Sequence, residues 1–149
     1  MAERPVVSPS PTAPAQAAPV AQESVPSDKD SEMHYHLGIA YKEMELFDYA
    51  ISEFEMASAN PSLRFDCYIM LGNCYMEKGD YSKSIECYRM ATQAKGLTEE
   101  KLAHLHYSLG LAYEANGMIP EALDTFHEVL KLDQSFAGAT ERIKKLQQK

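Results

Sequence analysis

The chain has 149 residues, of which 45% are hydrophobic and 24% are charged, and its formal net charge is −8. This profile is that of one soluble globular domain and excludes a collagen-like fibre. No stretch approaches the roughly 20 apolar residues that a transmembrane helix needs, and Glu3 with the early prolines argues against a secretory signal.

The negative charge is concentrated in the middle of the chain. Residues 31–134 hold seventeen acidic and eight basic side chains, whereas residues 135–149 hold one acidic and four basic ones. An acidic body disfavours nucleic acid, whose phosphates are bound by clustered Lys and Arg. The four terminal bases either form a basic patch or, as we favour, complement the dipole of a C-terminal helix. Three cysteines without disulfide-dense spacing predict a reducing, cytoplasmic setting.

Residues 1–27 differ in composition from the remainder. They contain six of the eight prolines and no aromatic residue, so they cannot bury enough apolar surface to offset the entropy lost on ordering. Pro11 and Pro14 match a short PxxP ligand motif, but no Arg or Lys stands at a useful spacing. We therefore predict a disordered Pro/Ala-rich linker.

From Asp28 onward the sequence repeats. Three segments share a Leu-Gly pair, a tyrosine three residues after the glycine, a small residue twelve after it and an aromatic residue sixteen after it. The glycines are Gly38, Gly72 and Gly110, so the first interval is 34 residues and the second is 38. The four-residue excess falls around 95–98 and predicts either a long loop or a longer following helix.

Helix packing accounts for the repeated residues. A glycine inside a helix costs about 1 kcal/mol relative to alanine, so its recurrence predicts a helix crossing too close for a Cβ. The small partners on the second helices are Ala50, Ser84 and Ala122. The leucines and tyrosines lie four residues apart, which predicts buried stripes. They are Leu37, Tyr41, Leu71, Tyr75, Leu109 and Tyr113.

Turn and capping residues mark the predicted helix ends. Gly79-Asp80 predicts a helix end followed by an N-cap, and Asn60-Pro61 predicts an N-cap followed by the first helical residue. Thr98, before two glutamates, predicts another helix start.

A last amphipathic helix is predicted at 135–148, where it covers the end of a stack of repeats. No such cap is predicted ahead of the first repeat, so its outer edge is expected to be covered by a neighbour or by self-association. The apolar residues of the capping helix are Phe136, Ala139, Ile143 and Leu146.

These features resemble the tetratricopeptide repeat (TPR) family, whose 34-residue unit is a pair of antiparallel helices. The resemblance implies an all-α fold. It also implies a right-handed α-solenoid domain at 28–149, with repeats at about 31–64, 65–98 and 103–134. Two departures are present. The aromatic residue usual near the start of the first helix is His34 in repeat one and His106 in repeat three, and the proline at each repeat's end is displaced to Pro61 in the first and missing from the others.

In this family the first helix of each repeat lines a concave groove, and the resemblance implies the same here. An exposed apolar groove usually marks a partner site, although neighbours or the chain's own tail are an alternative cover. The implied peptide-binding residues are Tyr35, His36, Ile39, Ile69, Met70, Asn73, Met76, His104, Tyr107, Ser108 and Leu111, with Glu32, Lys42, Asp66 and Glu114 as further mapped positions.

One ligand class known for the family is not expected. TPR domains that grip the carboxylate tail of chaperones use Lys and Asn from the first repeat, Asn from the second, and Lys and Arg from the third. The matching residues here are Tyr35, Ile39, Met70, His104 and Ser108. None of them matches, so an amphipathic helix or an extended apolar peptide is the expected ligand.

Metal and catalytic motifs are not found. The pairs His34/His36 and His104/His106 are two residues apart and point to different helix faces, although a cross-helix pair of His36 with His104 stays open. No HExxH or CxxC spacing occurs, and the three cysteines are predicted to be inert buried thiols. No GxSxG, phosphate-binding glycine loop or paired-carboxylate motif occurs either. We expect no metal, no cofactor and no enzymatic activity.

These expectations predict a non-catalytic, cytoplasmic adaptor that binds a peptide or helix of another protein in its concave groove. The style of the repeats resembles TPR modules of large bacterial proteins, which implies a multiprotein assembly such as pilus, motility or polarity machinery. The alternative is an oligomerisation or spacer module, whose groove is used for self-association and which forms a homodimer through the first-repeat edge.

Overall fold

The structure of the chain is a computed structural model that describes residues 27–148. The linker predicted at 1–27 lies outside the described residues, except for Ser27, whose hydroxyl accepts a hydrogen bond from the Asp30 N–H (3.1 Å) and caps the first helix. The described residues form helices and no strand. The helices are α1 Asp28–Glu43, α2 Phe47–Ala57, α3 Arg64–Lys78, α4 Tyr81–Ala91, α5 Glu99–Ala115, α6 Ile119–Leu132 and α7 Ala137–Gln147.

The helices stack in sequence order. α1 packs on α2, α3 on α4 and α5 on α6, and each second helix also packs on the first helix that follows it. Three core clusters result, the first between α2 and α3, the second between α4 and α5, and the third centred on α6 and α7. This nearest-neighbour packing confirms the predicted all-α solenoid. None of the described helices is long and apolar enough to cross a membrane.

An aromatic ring fills the space beside each repeated glycine. A Cβ on Gly72 would lie 2.5 Å from Cε1 of Tyr88, and one on Gly110 would lie 2.5 Å from Cε1 of Phe126. The Ser84 hydroxyl donates a hydrogen bond to the Gly72 carbonyl (2.8 Å), which brings the two helices of this pair together. The predicted close crossing is therefore confirmed, and the group that excludes a Cβ is the ring of the partner helix.

Two of the predicted helix ends are confirmed. The Thr98 hydroxyl accepts a hydrogen bond from the Lys101 N–H (3.1 Å) and caps α5. Gly79 has the left-handed backbone (φ 82°) that lets α3 end. Asp80 stands at the predicted N-cap position of α4, but its side chain makes no capping hydrogen bond.

The start predicted at Asn60-Pro61 is wrong. α3 begins at Arg64, and the Asn60 side-chain oxygen accepts a hydrogen bond from the Ser62 N–H (3.0 Å). This oxygen closes a local Asx turn, so it satisfies the backbone of the turn and does not cap the helix.

The capping helix is shorter than predicted but occupies the expected place. α7 buries Ala139 and Ile143 in the third cluster. Lys144 stands 34 residues after Gly110 and is exposed, whereas each glycine at the corresponding place in α1, α3 and α5 has a ring against it. A lysine is tolerated at this position because the outer face of α7 is exposed to solvent.

The prediction of a buried Leu37 is wrong. Leu71 and Leu109 are 4% and 6% exposed, but Leu37 is 38% exposed. Leu71 and Leu109 pack in clusters with the preceding second helix, and the described residues contain no helix ahead of α1. Met33 on α1 is 51% exposed for the same reason. We call Met33, Leu37 and Ala40 the α1 edge.

The difference in burial between Leu71 and Leu37 predicts that replacement by alanine destabilises the fold unequally at the two positions. Leu71→Ala is expected to lower the free energy of unfolding by about 2–5 kcal/mol, because it leaves a cavity in the first cluster. Leu37→Ala is expected to cost no more than about 1 kcal/mol. Urea denaturation followed by circular dichroism measures both. Equal costs would mean that the α1 edge is covered in solution.

Candidate functional site

The first helices of the pairs enclose a pocket of about 480 Å³ between α3 and α5. Leu105, 2% exposed, is the most deeply buried of its residues. Phe65 and Ile69 of α3 face the first turns of α5 across it. We call it the α3–α5 pocket. Its lining residues are Phe65, Ile69, Thr98, Glu100, Lys101, His104, Leu105 and Ser108.

A second pocket of about 270 Å³ continues from the first. It brings α1, α3 and α5 together, and Ser108 lines both pockets, so the two form one groove. We call the second the central pocket, and both together the groove. The central pocket is lined by Lys42, Asn73, Met76, Glu77, Tyr88, Ser108 and Leu111.

The groove contains six of the eleven implied binding residues and leaves out the other five. Those that line it are Ile69, Asn73, Met76, His104, Ser108 and Leu111. Tyr35, Ile39 and Met70 pack against the first core cluster. His36 is exposed, and its ring lies 5.9 Å from that of Tyr35. Of the further mapped positions, Lys42 lines the central pocket and Glu114 bonds to Arg142 of α7.

Tyr107 contributes to packing between helices. Its ring centroid lies 5.8 Å from that of Phe126 and 5.0 Å from that of Phe136. Its Cζ also lies 3.0 Å from where a Cβ on Gly138 would stand, so the glycine gives the ring room against α7. Ile69 packs against the second cluster but also lines the α3–α5 pocket, whereas Tyr107 packs against the third cluster and lines neither pocket. Ile69 is therefore the better position for testing the groove.

A partly buried hydrogen bond fixes the base of the central pocket. The Tyr88 hydroxyl donates to the Asn73 side-chain oxygen. Burial raises the pKa of Tyr88, so its hydroxyl keeps its proton at neutral pH and remains a donor. Asn73 is thereby held in one orientation, and its amide NH₂ group has two donors for other partners.

Carboxylates stand along the groove. Glu77 and Glu100 line it and are exposed. Asp66 on α3 is exposed as well, and its charge adds to burial in raising the pKa of Tyr35. Within residues 27–148, none of these three carboxylates forms a salt bridge.

Several pocket residues escaped the sequence prediction. Phe65, Glu100 and Lys101 are not among the peptide-binding residues that the family resemblance implies. The four-residue excess between Gly72 and Gly110 lies next to Glu100 and Lys101 in the sequence. The longer following helix is the alternative that is realised: α5 begins eleven residues before Gly110 and α3 only eight before Gly72. The loop at 92–98 is one residue longer than the loop at 58–63. The Lys101 ammonium lies 5.9 Å from the centre of the Phe65 ring.

The thiols are poor nucleophiles. Cys67 and Cys74 are fully buried and Cys87 is half-buried. Burial raises their pKa values, to about 12 for Cys67 and about 11 for Cys74 and Cys87. Almost no thiolate is therefore present at neutral pH. Across residues 27–148, no group of three or more His, Cys, Asp or Glu side chains could hold a metal ion.

The second helices form a separate cavity of about 640 Å³ over α2, α3 and α4. Tyr68, Tyr75 and Met90 are among its apolar residues, and charged residues of both signs surround them. Met90 is 46% exposed. Because this outer surface shares no lining residue with the α3–α5 pocket, it supplies matched control positions.

Family models for the tetratricopeptide repeat match residues 65–94 and 105–133. The BBSome complex member BBS4 of Bos taurus is 32% identical over 108 residues, which cover 72% of this chain and 20% of BBS4. The chain thus spans about a fifth of the length of this relative.

Two solved structures have the same fold. The N-terminal domain of stress-induced protein-1 from C. elegans superposes with a TM-score of 0.72 at 17% identity, over 80% of this chain and 96% of that domain. The first TPR domain of Spaghetti (RPAP3), bound to the HSP90 peptide SRMEEVD, superposes with a TM-score of 0.71 at 15% identity, over 85% and 97% of the two chains.

Proposed function

Because the chain belongs to the tetratricopeptide repeat family, we propose that it is a non-catalytic adaptor that binds a peptide or helix of another protein in the groove. TPR proteins mediate protein–protein interaction. The observation that carries the proposal is the continuity of the two pockets through Ser108. We assign three repeats, at 31–64, 65–98 and 103–134, and a capping helix at 135–148.

The packing of the groove supports this role. Ile69, Met76 and Leu111 are half-buried, and each packs with part of its side chain against a core cluster. A ligand would meet apolar groups that are already in place, so little conformational entropy is lost on binding. Such preformed apolar surface with a few polar groups is typical of binding sites.

The proposed ligand differs from the acidic peptide held by RPAP3. At the positions of the chaperone-tail clamp this chain has Tyr35, Ile39, Met70, His104 and Ser108, which offer no Lys or Arg to a carboxylate. Exposed acids such as Asp66 and Glu77 would repel the glutamates and aspartate of SRMEEVD.

A labelled SRMEEVD peptide is therefore expected to show no saturable binding in fluorescence anisotropy. The reason is that none of the clamp positions carries Lys or Arg to bind its terminal carboxylate. A chaperone-binding TPR domain that holds this peptide provides the positive control. Saturable binding that is lost when the peptide is amidated at its C-terminus would contradict the proposed ligand class.

Affinity capture tests the adaptor function itself. The full chain, Ile69→Glu and Met90→Glu are immobilised in parallel and exposed to lysate of the source cell. The proposal expects a partner that is retained by the full chain and by Met90→Glu but lost by Ile69→Glu. A partner retained equally by all three would place binding outside the groove and overturn the proposal.

A second candidate is a self-associating spacer, which the exposed α1 edge favours. Met33 and Leu37 stand where the buried stripes of α3 and α5 pack against a preceding helix. Sedimentation at increasing concentration distinguishes the two functions. A dimer that Leu37→Glu dissociates would favour the spacer, whereas a monomer at all concentrations would favour the adaptor.

We place the adaptor in the cytoplasm, in a bacterial multiprotein assembly such as pilus, motility or polarity machinery. The three free thiols and the style of the repeats support this setting. Identification of the captured partner by mass spectrometry tests it.

A further inference from the structure

The α3–α5 pocket owes one of its walls to the insertion. α5 begins eleven residues before Gly110, whereas α3 begins eight residues before Gly72. The additional turn of α5 carries Glu100 and Lys101, and both residues line the pocket. α1 begins almost as early, ten residues before Gly38, but it is the early turn of α5 that lines the α3–α5 pocket.

The shape and chemistry of the pocket suit one bulky apolar group. Its volume of about 480 Å³ lies in the range of ligand-binding pockets. Phe65, Ile69 and Leu105 supply apolar surface, and the Ser108 hydroxyl and the charged ends of Glu100 and Lys101 supply the polar groups. Such a combination anchors a single side chain and keeps the adjoining backbone near solvent.

The charges around the pocket favour basic neighbours for that side chain. Asp66, Glu77 and Glu100 are exposed and form no salt bridge within residues 27–148. Two bases, Lys42 and Lys101, also line the groove. Lys101 lies over the Phe65 ring, and the body of the chain from 31 to 134 is strongly acidic. The lining of the groove carries two acids and two bases, so the negative field comes from the acidic body and from exposed Asp66, next to Phe65 on α3. This field attracts cationic segments.

We propose that the α3–α5 pocket anchors a large apolar side chain of a partner protein, flanked by Lys or Arg residues that the groove carboxylates attract. This inference rests on the proposed function and names the chemistry of its ligand. The proposed occupant is thus a basic, apolar-anchored segment, and acidic or purely polar segments are disfavoured.

Selection from a phage library of random 12-residue peptides tests this chemistry. The full chain is immobilised, and enriched peptides are synthesised and titrated by fluorescence anisotropy. The inference expects a bulky apolar residue next to Lys or Arg in the enriched peptides. It also expects affinity to fall at least tenfold for Ile69→Glu and several-fold for Glu100→Lys.

Two control variants separate the possible failures. Glu121→Lys makes the same charge change on α6, away from the groove, and is expected to leave affinity unchanged. Leu111→Glu changes a residue that lines the central pocket and not the α3–α5 pocket, and that also packs against the third cluster. Circular dichroism verifies that every variant is folded.

The outcomes distinguish this inference from the proposed function. Peptides that lose affinity in Leu111→Glu but not in Ile69→Glu or Glu100→Lys would overturn the anchor pocket and leave the adaptor function standing. Enrichment of acidic peptides would overturn the charge preference. If no peptide is enriched, or if binding is indifferent to all groove variants, both proposals fail.

Discussion

Replacing Phe126 with alanine is expected to lower the free energy of unfolding by about 3–5 kcal/mol. The Phe126 ring is fully buried, lies against Gly110 and contacts Tyr107 in the third cluster. The surrounding helices cannot close on the cavity, because Gly110 has no side chain to fill it. Three helix pairs are close to the shortest stable solenoid, so this loss is a large part of the total stability. Urea denaturation followed by circular dichroism measures it.

The neighbouring exposed residue supplies the control for this prediction. His127→Ala is expected to change stability by no more than about 0.5 kcal/mol, since His127 points to solvent on the same helix. A cost below about 1 kcal/mol for Phe126→Ala would contradict the enclosed ring. A double-mutant cycle with Gly110→Ala adds a check, because the added methyl group should be tolerated better once the ring is gone.

Ile69→Glu is expected to weaken binding of the captured partner by about 2 kcal/mol or more, which is about a 30-fold rise in Kd. The substitution places a carboxylate in the apolar α3–α5 pocket and removes the surface that a ligand side chain would cover. Isothermal titration calorimetry measures the change. The half-buried position of Ile69 predicts that the helical circular dichroism signal is retained.

Met90→Glu is the matched control for this binding prediction. Met90 is apolar and 46% exposed, and it lies on the outer cavity over α2, α3 and α4. Its substitution is expected to leave Kd unchanged. An equal loss of affinity in the two variants would indicate a general effect of charge, and a loss in Met90→Glu alone would move the site to the outer surface.

Periodicity predicts the helix pairs well because each repeated residue has one packing role. In every pair the aromatic ring lies against the glycine, and the small residue is fully buried. The same reasoning fails for Leu37, which it predicts to be buried. Its place in the repeat matches Leu71 and Leu109, yet its exposure depends on whether another helix precedes α1, which the repeat pattern does not encode.

The same distinction explains why the sequence predicts only some of the residues that line the groove. Ile69 and Leu111 follow from their register in the repeat, since one face of each first helix is turned away from the second helices. Tyr107 shares that register but packs on Phe136 and α7, because the capping helix differs from a full repeat. Lys101 lies in the insertion, outside any repeat register, so only the structure brings it to the pocket.

Site-specific photo-crosslinking tests the central claim most directly. p-Benzoylphenylalanine is placed at position Ser108, where the two pockets join, and separately at position Met90 on the outer surface. Both proteins are irradiated with the captured partner. Binding in the groove predicts a crosslinked product from position 108 and none from position 90. Crosslinking from position 90 alone would contradict the account.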